Sequence, residues 1–155
     1  MTYAWVDAAP FRAHLLHVSA ATRLPWRVLA VHAGVPLKLA ERVVARPVGQ
    51  KLPAVYATRL LRLTAADGPR IRTGQVWAAG TAALLTAMLA AGASPAALAS
   101  MLGCTADHVV ALASGSITRT TIEIALRVQV RQELTHRSKA SGAGAPMVPA
   151  RSQAA

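Results

Sequence analysis

The chain has 155 residues, enough for one ordinary domain or two of the smallest kind, and 17 Lys and Arg against six Asp and Glu give a net charge of +11. This charge favours a polyanionic partner, either nucleic acid or an anionic membrane, although a coding bias toward Arg and Ala explains part of it. Apolar residues make up 54 % but only six residues are aromatic, so a large aromatic core is excluded and we expect an all-α fold rich in Ala, Leu and Val.

The first half of the chain predicts four helices. They span residues 10–22, 24–33, 37–45 and 53–64, and each carries a stripe of apolar residues at helical spacing. The sequence Gly34-Val35-Pro36 predicts a turn between the second and third helices, and the Pro and Gly content of residues 45–53 predicts a loop.

The second half predicts a linker that contains a turn at residues 65–80, followed by four more helices. These span residues 81–91, 94–102, 105–114 and a long last helix from Thr120 or Thr121 to about Leu134. Ser94 and Thr105 are typical N-caps, and Gly103 can adopt the positive φ that ends a helix. From His136 the Ser-, Ala-, Gly- and Pro-rich composition predicts a disordered tail.

Two short helices joined by a glycine turn are predicted by the spacing Leu98-Ala99-x-x-Leu102-Gly103-Cys104-Thr105-x-x-x-Val109-x-x-Leu112. This spacing resembles the Cro/lambda-repressor-like family of helix-turn-helix DNA-binding domains. The same pattern occurs 69 residues upstream as Leu29-Ala30-x-x-Ala33-Gly34-Val35-Pro36-x-x-x-Ala40-x-x-Val43. Chance similarity between Ala- and Leu-rich segments is the alternative to a true repeat. We therefore predict a helix-turn-helix unit at 1–66, a linker at 67–80, a second unit at 81–135, and the tail at 136–155.

The chain also resembles tandem helix-turn-helix DNA-binding proteins of actinobacteria and their phages, over about residues 10–135. The resemblance lies in residues 12–36, 57–63, 71–85, 93–115 and 120–128. It implies a transcriptional regulator or a phage-type repressor. Carried over by position, it implies that Leu37, Lys38 and Arg42 dock on DNA in the first unit. In the second unit it implies docking through residues Thr105, Ala106, Asp107 and His108.

The charge is unequally divided between the two predicted units. Residues 1–66 hold nine Lys and Arg against two acids, whereas residues 80–135 hold three of each. Because phosphate neutralisation supplies most non-specific DNA affinity, we assign DNA binding mainly to the first unit. The second unit either reads bases through groups such as Asp107 and Ala106 or contacts protein instead. Besides the docking residues named above, the candidate DNA contacts are Arg27, Glu41, Arg46, Arg70, Arg72 and Arg119.

Two pairs of these candidate DNA contacts also have an interpretation that involves no DNA. Lys38 and Arg42 lie four residues apart, so they share one helix face that either reads DNA or is simply solvated with support from Glu41. Arg70 and Arg72 either enter a minor groove from the linker or are solvated linker charges.

Other functional classes find less support in the sequence. We expect no enzyme, because no phosphate loop, nucleophile motif or paired carboxylates accompany a His. His14 and His17 can share a helix face and could form a metal site with His32 and Cys104, but no carboxylate or second cysteine completes a recognised ligand spacing, so we expect no metal and no cofactor. The uncharged residues 76–93 leave a single-pass membrane protein as an alternative.

The expected partner is double-stranded DNA, and we expect no membrane. A monomer spanning two grooves, a homodimer formed through the second unit, and a partner from the transcription machinery all stay open. An interaction module with weak DNA binding is the alternative function. The single cysteine and the lack of a signal-peptide pattern predict a cytoplasmic location.

Overall fold

A computed structural model describes residues 4–46 and 48–144, with side-chain surroundings through residue 140. This part of the chain is 68 % helical and contains nine helices and four three-residue strands, so the predicted helical character is confirmed. The elements are β1 (Trp5–Asp7), α1 (Ala9–Thr22), α2 (Trp26–His32), α3 (Leu37–Ala45), β2 (Lys51–Pro53), α4 (Ala54–Leu61), α5 (Asp67–Thr73), β3 (Gln75–Trp77), α6 (Ala79–Ala90), α7 (Pro95–Leu102), α8 (Ala106–Ala113), β4 (Arg119–Thr121) and α9 (Ile122–Gly144).

The element order β-α-α-α-β-α occurs twice, from β1 to α4 and from β3 to α9, with α5 between the two copies. In each copy the first strand pairs antiparallel with the second, with Val6 opposite Leu52 and Val76 opposite Thr120. The sequence did not predict these strands, because three residues are too few to show an alternating pattern. Because each strand directly precedes a helix, the pairing places the start of α1 beside the start of α4 and the start of α6 beside the start of α9.

The helix ends of the second copy follow the predicted signals. Ser94 Oγ accepts a hydrogen bond from Ala97 N at 3.1 Å, and Thr105 Oγ1 accepts one from His108 N at 3.1 Å. Gly103 ends α7 in the left-handed region at φ +70°. The last helix is capped by Thr121, one of the two predicted candidates, whose Oγ1 accepts from Ile124 N at 3.2 Å.

The predicted linker at residues 67–80 is wrong, because residues 67–73 form α5 and pack into the core, residues 75–77 form β3, and α6 begins at Ala79. Asp67 Oδ2 accepts a hydrogen bond from Thr64 N at 2.8 Å and fixes the turn that precedes the helix. Ile71 is fully buried. At Gly68, a Cβ atom would lie 3.1 Å from the side chain of Thr22, so α5 lies close against α1. The segment therefore joins the two copies as a packed element.

The helix α9 packs against both copies. Its residues Leu126 and Val130 belong to the hydrophobic core built by α1 to α5, whereas Val128 belongs to the core of α6, α7 and α8. The helix continues to Gly144, ten residues beyond the predicted end at Leu134, so residues 136–144 correct the predicted disordered tail. The remainder of that prediction, residues 145–155, lies outside the described residues.

Residues 76–93, the candidate membrane span, are divided between β3 and α6 and the turn after it. Among the described residues, no single helix is both long enough and apolar enough to cross a membrane, and α7 and α8 reach the required length and hydropathy only when the bent pair is counted together.

Candidate nucleic-acid interface

The helices α2 and α3 are joined by a glycine turn that has a counterpart between α7 and α8. Gly34 adopts φ +76°, and Val35 N donates to Ala30 O at 3.0 Å. Sixty-nine residues later Gly103 adopts φ +70°, and Cys104 N donates to Ala99 O at 3.1 Å. Non-glycine residues pay a steric penalty in this left-handed region, which explains glycine at both turns. The helices α7 and α8 meet at 102°.

The helix α3 presents one buried face and one basic face. Leu37, Ala40 and Val43 recur at three-residue spacing and are buried, whereas Lys38 and Arg42 are exposed. Arg46, just beyond the helix, is exposed as well. The prediction of Leu37 as a docking residue is therefore wrong, because its side chain is only 1 % exposed and fills the core beneath the first turn.

Glu41 lies on the flank of α3 within an ion-pair network. Arg137 of α9 donates from Nη1 to Oε2 and from Nη2 to Oε1, the latter at 3.2 Å, and Arg27 Nε donates to Oε1 at 3.4 Å. The hydrogen bond from Arg137 is the main cause that lowers the pKa of Glu41, and it outweighs the opposing effect of partial burial. The charge of Glu41 is thus compensated by Arg27 of α2 and Arg137 of α9. The predictions that Glu41 contacts DNA and that it supports the face of Lys38 and Arg42 are therefore wrong.

Three arginines outside the predicted set hold this helix pair in place. Arg12 Nε donates to Val44 O at 3.0 Å, near the end of α3. Arg59 Nη1 donates to Gly34 O at 2.7 Å, in the turn before α3. Arg137 is the third. Sequence reasoning missed them because each reaches its partner across 25 to 96 residues of chain.

The corresponding helix α8 offers no cation. The Oγ1 of Thr105 is engaged as the cap of the helix, and Ala106 packs against the second core. Asp107 is exposed and His108 half-buried, while the side chain of Val110 is 50 % exposed on the same helix. Thr105 and Asp107 are therefore exposed, whereas Ala106 and His108 are partly buried, and the surface they form on α8 is neutral to acidic.

The remaining predicted arginines lie on other elements. Arg72 donates from Nη2 to the backbone O of Thr22, so it ties α5 to the end of α1. Arg70 is exposed, 3.9 Å from Asp67. Both belong to α5, which corrects the expectation that they lie on an open linker able to enter a minor groove. Arg119 lies on β4 with its guanidinium 4.5 Å from the ring centroid of Trp77.

Among the residues considered as metal ligands in the sequence, His14 is hydrogen-bonded to the backbone and Cys104 is half-buried. The Nε2 of His14 lies 2.8 Å from Leu63 O and must donate to it, because a carbonyl oxygen only accepts. Burial raises the pKa of the Cys104 thiol, which disfavours the reactive thiolate. In residues 4–46 and 48–144, no three His, Cys, Asp or Glu residues are grouped as metal ligands would be.

Comparison of the chain with protein-family models, with curated proteins and with solved structures finds no match. The resemblance to tandem helix-turn-helix proteins stays a prediction.

Proposed function

We propose that this protein binds double-stranded DNA and acts as a transcriptional regulator or phage-type repressor, with α2–α3 and α7–α8 as tandem helix-turn-helix units. The 102° between α7 and α8 lies within the roughly 90–120° of such units. The shared glycine turns support the same assignment for α2 and α3, 69 residues upstream.

The exposed basic face of α3 is the observation that carries the proposal. Lys38 and Arg42 are exposed four residues apart, and neither has a carboxylate partner among the described residues. Cations without partners are free to neutralise phosphates or to donate to base edges in a major groove. The nearest acid in sequence, Glu41, is already compensated by Arg27 and Arg137.

The decisive experiment selects bound sequences from a random pool of duplex DNA and measures affinity for the selected site at several salt concentrations. We expect the double variant Lys38→Ala/Arg42→Ala to bind roughly tenfold weaker or worse, with a salt slope reduced by about one for each phosphate that the variant no longer neutralises.

The variant Lys51→Ala/Arg62→Ala is a matched control, because it removes the same charges from exposed positions of the same copy. Its affinity should fall much less. Equal decreases in the two double variants would show that overall charge, rather than the face of α3, attracts DNA. A pool that yields no enriched sequence would refute sequence-specific binding.

For the second unit we propose protein contact, either with a second copy or with a component of the transcription machinery. The absence of Lys and Arg from α8 supports it, since contact with phosphates needs cations. The variant Val110→Glu should leave affinity for the selected DNA unchanged. A decrease as large as that of the α3 double variant would assign α8 to the DNA interface instead.

A further inference from the structure

A cavity of about 210 Å³ lies where the two copies meet. The helix α2 contributes Arg27 and Val28, α7 contributes Met101, and α9 contributes Arg127, Val130 and Arg131 to its lining. Pro25 and Leu134 complete the lining, which is mostly apolar. The cavity is therefore built from three helices that belong to both copies.

The lining is divided into an apolar floor and a charged rim. Val28 and Val130 are buried at 2 % and 9 % exposure, whereas Arg131 is exposed to solvent. A pocket of this kind takes an apolar body and fixes it through a few polar groups at one end. Its volume is below the roughly 300–1,000 Å³ of pockets for drug-sized ligands, so it suits a smaller molecule.

The charged side chains around the rim indicate which ligand charge the cavity favours. Arg27 is paired with Glu41 at 3.4 Å, and Arg127 is paired with Glu123 at 3.0 Å. Arg131 has no carboxylate partner among the described residues. One uncompensated guanidinium beside an apolar floor favours a ligand with one negative charge and an apolar body. It disfavours an ammonium ion, because the uncompensated guanidinium of Arg131 would repel it.

We propose that this cavity is a binding site for a small apolar monocarboxylate, such as a medium-chain fatty acid or an aromatic acid. The apolar body contacts Val28, Met101 and Val130, and the carboxylate pairs with Arg131. The assignment does not depend on DNA binding, so it can fail or succeed separately from the proposed function.

The test is a titration of the full chain with octanoate, followed by amide chemical shifts and calorimetry, with octan-1-ol and octylammonium as matched probes. We expect saturable shifts centred on Val28, Met101 and Val130, and an affinity for octanoate at least about threefold higher than for octan-1-ol. Octanol binding as tight as octanoate, or no saturation by ~10 mM octanoate, would overturn the proposal.

Two variants locate the site. Arg131→Gln should weaken octanoate binding about three- to tenfold without affecting octanol, since it removes only the charged contact. Met101→Phe should weaken both probes, because the ring occupies the cavity. Arg62→Gln is the control for charge alone, because Arg62 is also exposed but lies outside this lining. An equal decrease in Arg62→Gln and Arg131→Gln, or unchanged binding in Met101→Phe, would place octanoate elsewhere.

Discussion

Replacing Ile71 by alanine tests whether α5 is a structural element or a connection between two independent copies. Ile71 is fully buried in the first hydrophobic core, and α5 packs against α1 and α9. Truncation of a buried Ile to Ala costs about 2–5 kcal/mol, depending on how far the surroundings collapse into the cavity.

Collapse around Ile71 is limited by Gly68. A Cβ at that position would lie 3.1 Å from Thr22, so the backbone of α5 is already close to α1 and cannot move much nearer. We therefore expect a destabilisation clearly above the lower end of the range, about 3–4 kcal/mol. For a chain of this size that corresponds to a decrease in melting temperature of roughly 6–15 °C.

The assay is thermal and urea unfolding of the full chain followed by circular dichroism. Arg70→Ala is the matched control in the same helix, because that side chain is 70 % exposed and its contact with Asp67 is long. It should change stability by no more than about 0.5 kcal/mol. If Ile71→Ala changed stability as little as Arg70→Ala, residues 67–73 would be an open linker and the packing argument would be refuted.

Two further predictions concern a charged network and a buried hydroxyl. Because the pKa of Glu41 is lowered in the folded state, its network stabilises the fold above the ordinary value of 4.5, and this contribution is lost as the pH falls through the folded-state pKa. Glu41→Gln should lower the free energy of unfolding by on the order of 1 kcal/mol at neutral pH, and it should reduce the loss of stability that the wild-type protein shows as the pH is lowered. An unchanged loss of stability at low pH would show that the network is not its source. The side chain of Thr120 is 3 % exposed, and its Oγ1 has no hydrogen-bond partner within the described residues. Thr120 is the middle residue of β4, and the middle residue of β2 in the first copy is the apolar Leu52. Thr120→Val should therefore raise the free energy of unfolding by about 1 kcal/mol in urea unfolding, and a decrease would mean that the hydroxyl is satisfied in solution.

The sequence by itself determined the positions of eight of the nine helices in residues 4–46 and 48–144 and the turn between the two helices of each helix-turn-helix pair. Apolar residues at helical spacing set the helix positions, and local chemistry set the ends: Ser94, Thr105 and Thr121 cap helices, and Gly34 and Gly103 take positive φ. These signals act within a few residues, so they can be seen without the fold. The 69-residue offset and the basic face of α3 were visible for the same reason.

Only the tertiary structure decided which of those residues are available for binding. Leu37 and Lys38 are neighbours in the sequence, but helix geometry directs one into the core and the other to solvent. Glu41 is compensated by Arg137, 96 residues away, and no local pattern predicts that contact. Residues 67–73 have the Gly and Pro content of a linker, yet burial of Ile71 makes them a packed helix. The cavity beside Arg131 exists only because α9 joins the two cores, which is a property of long-range packing.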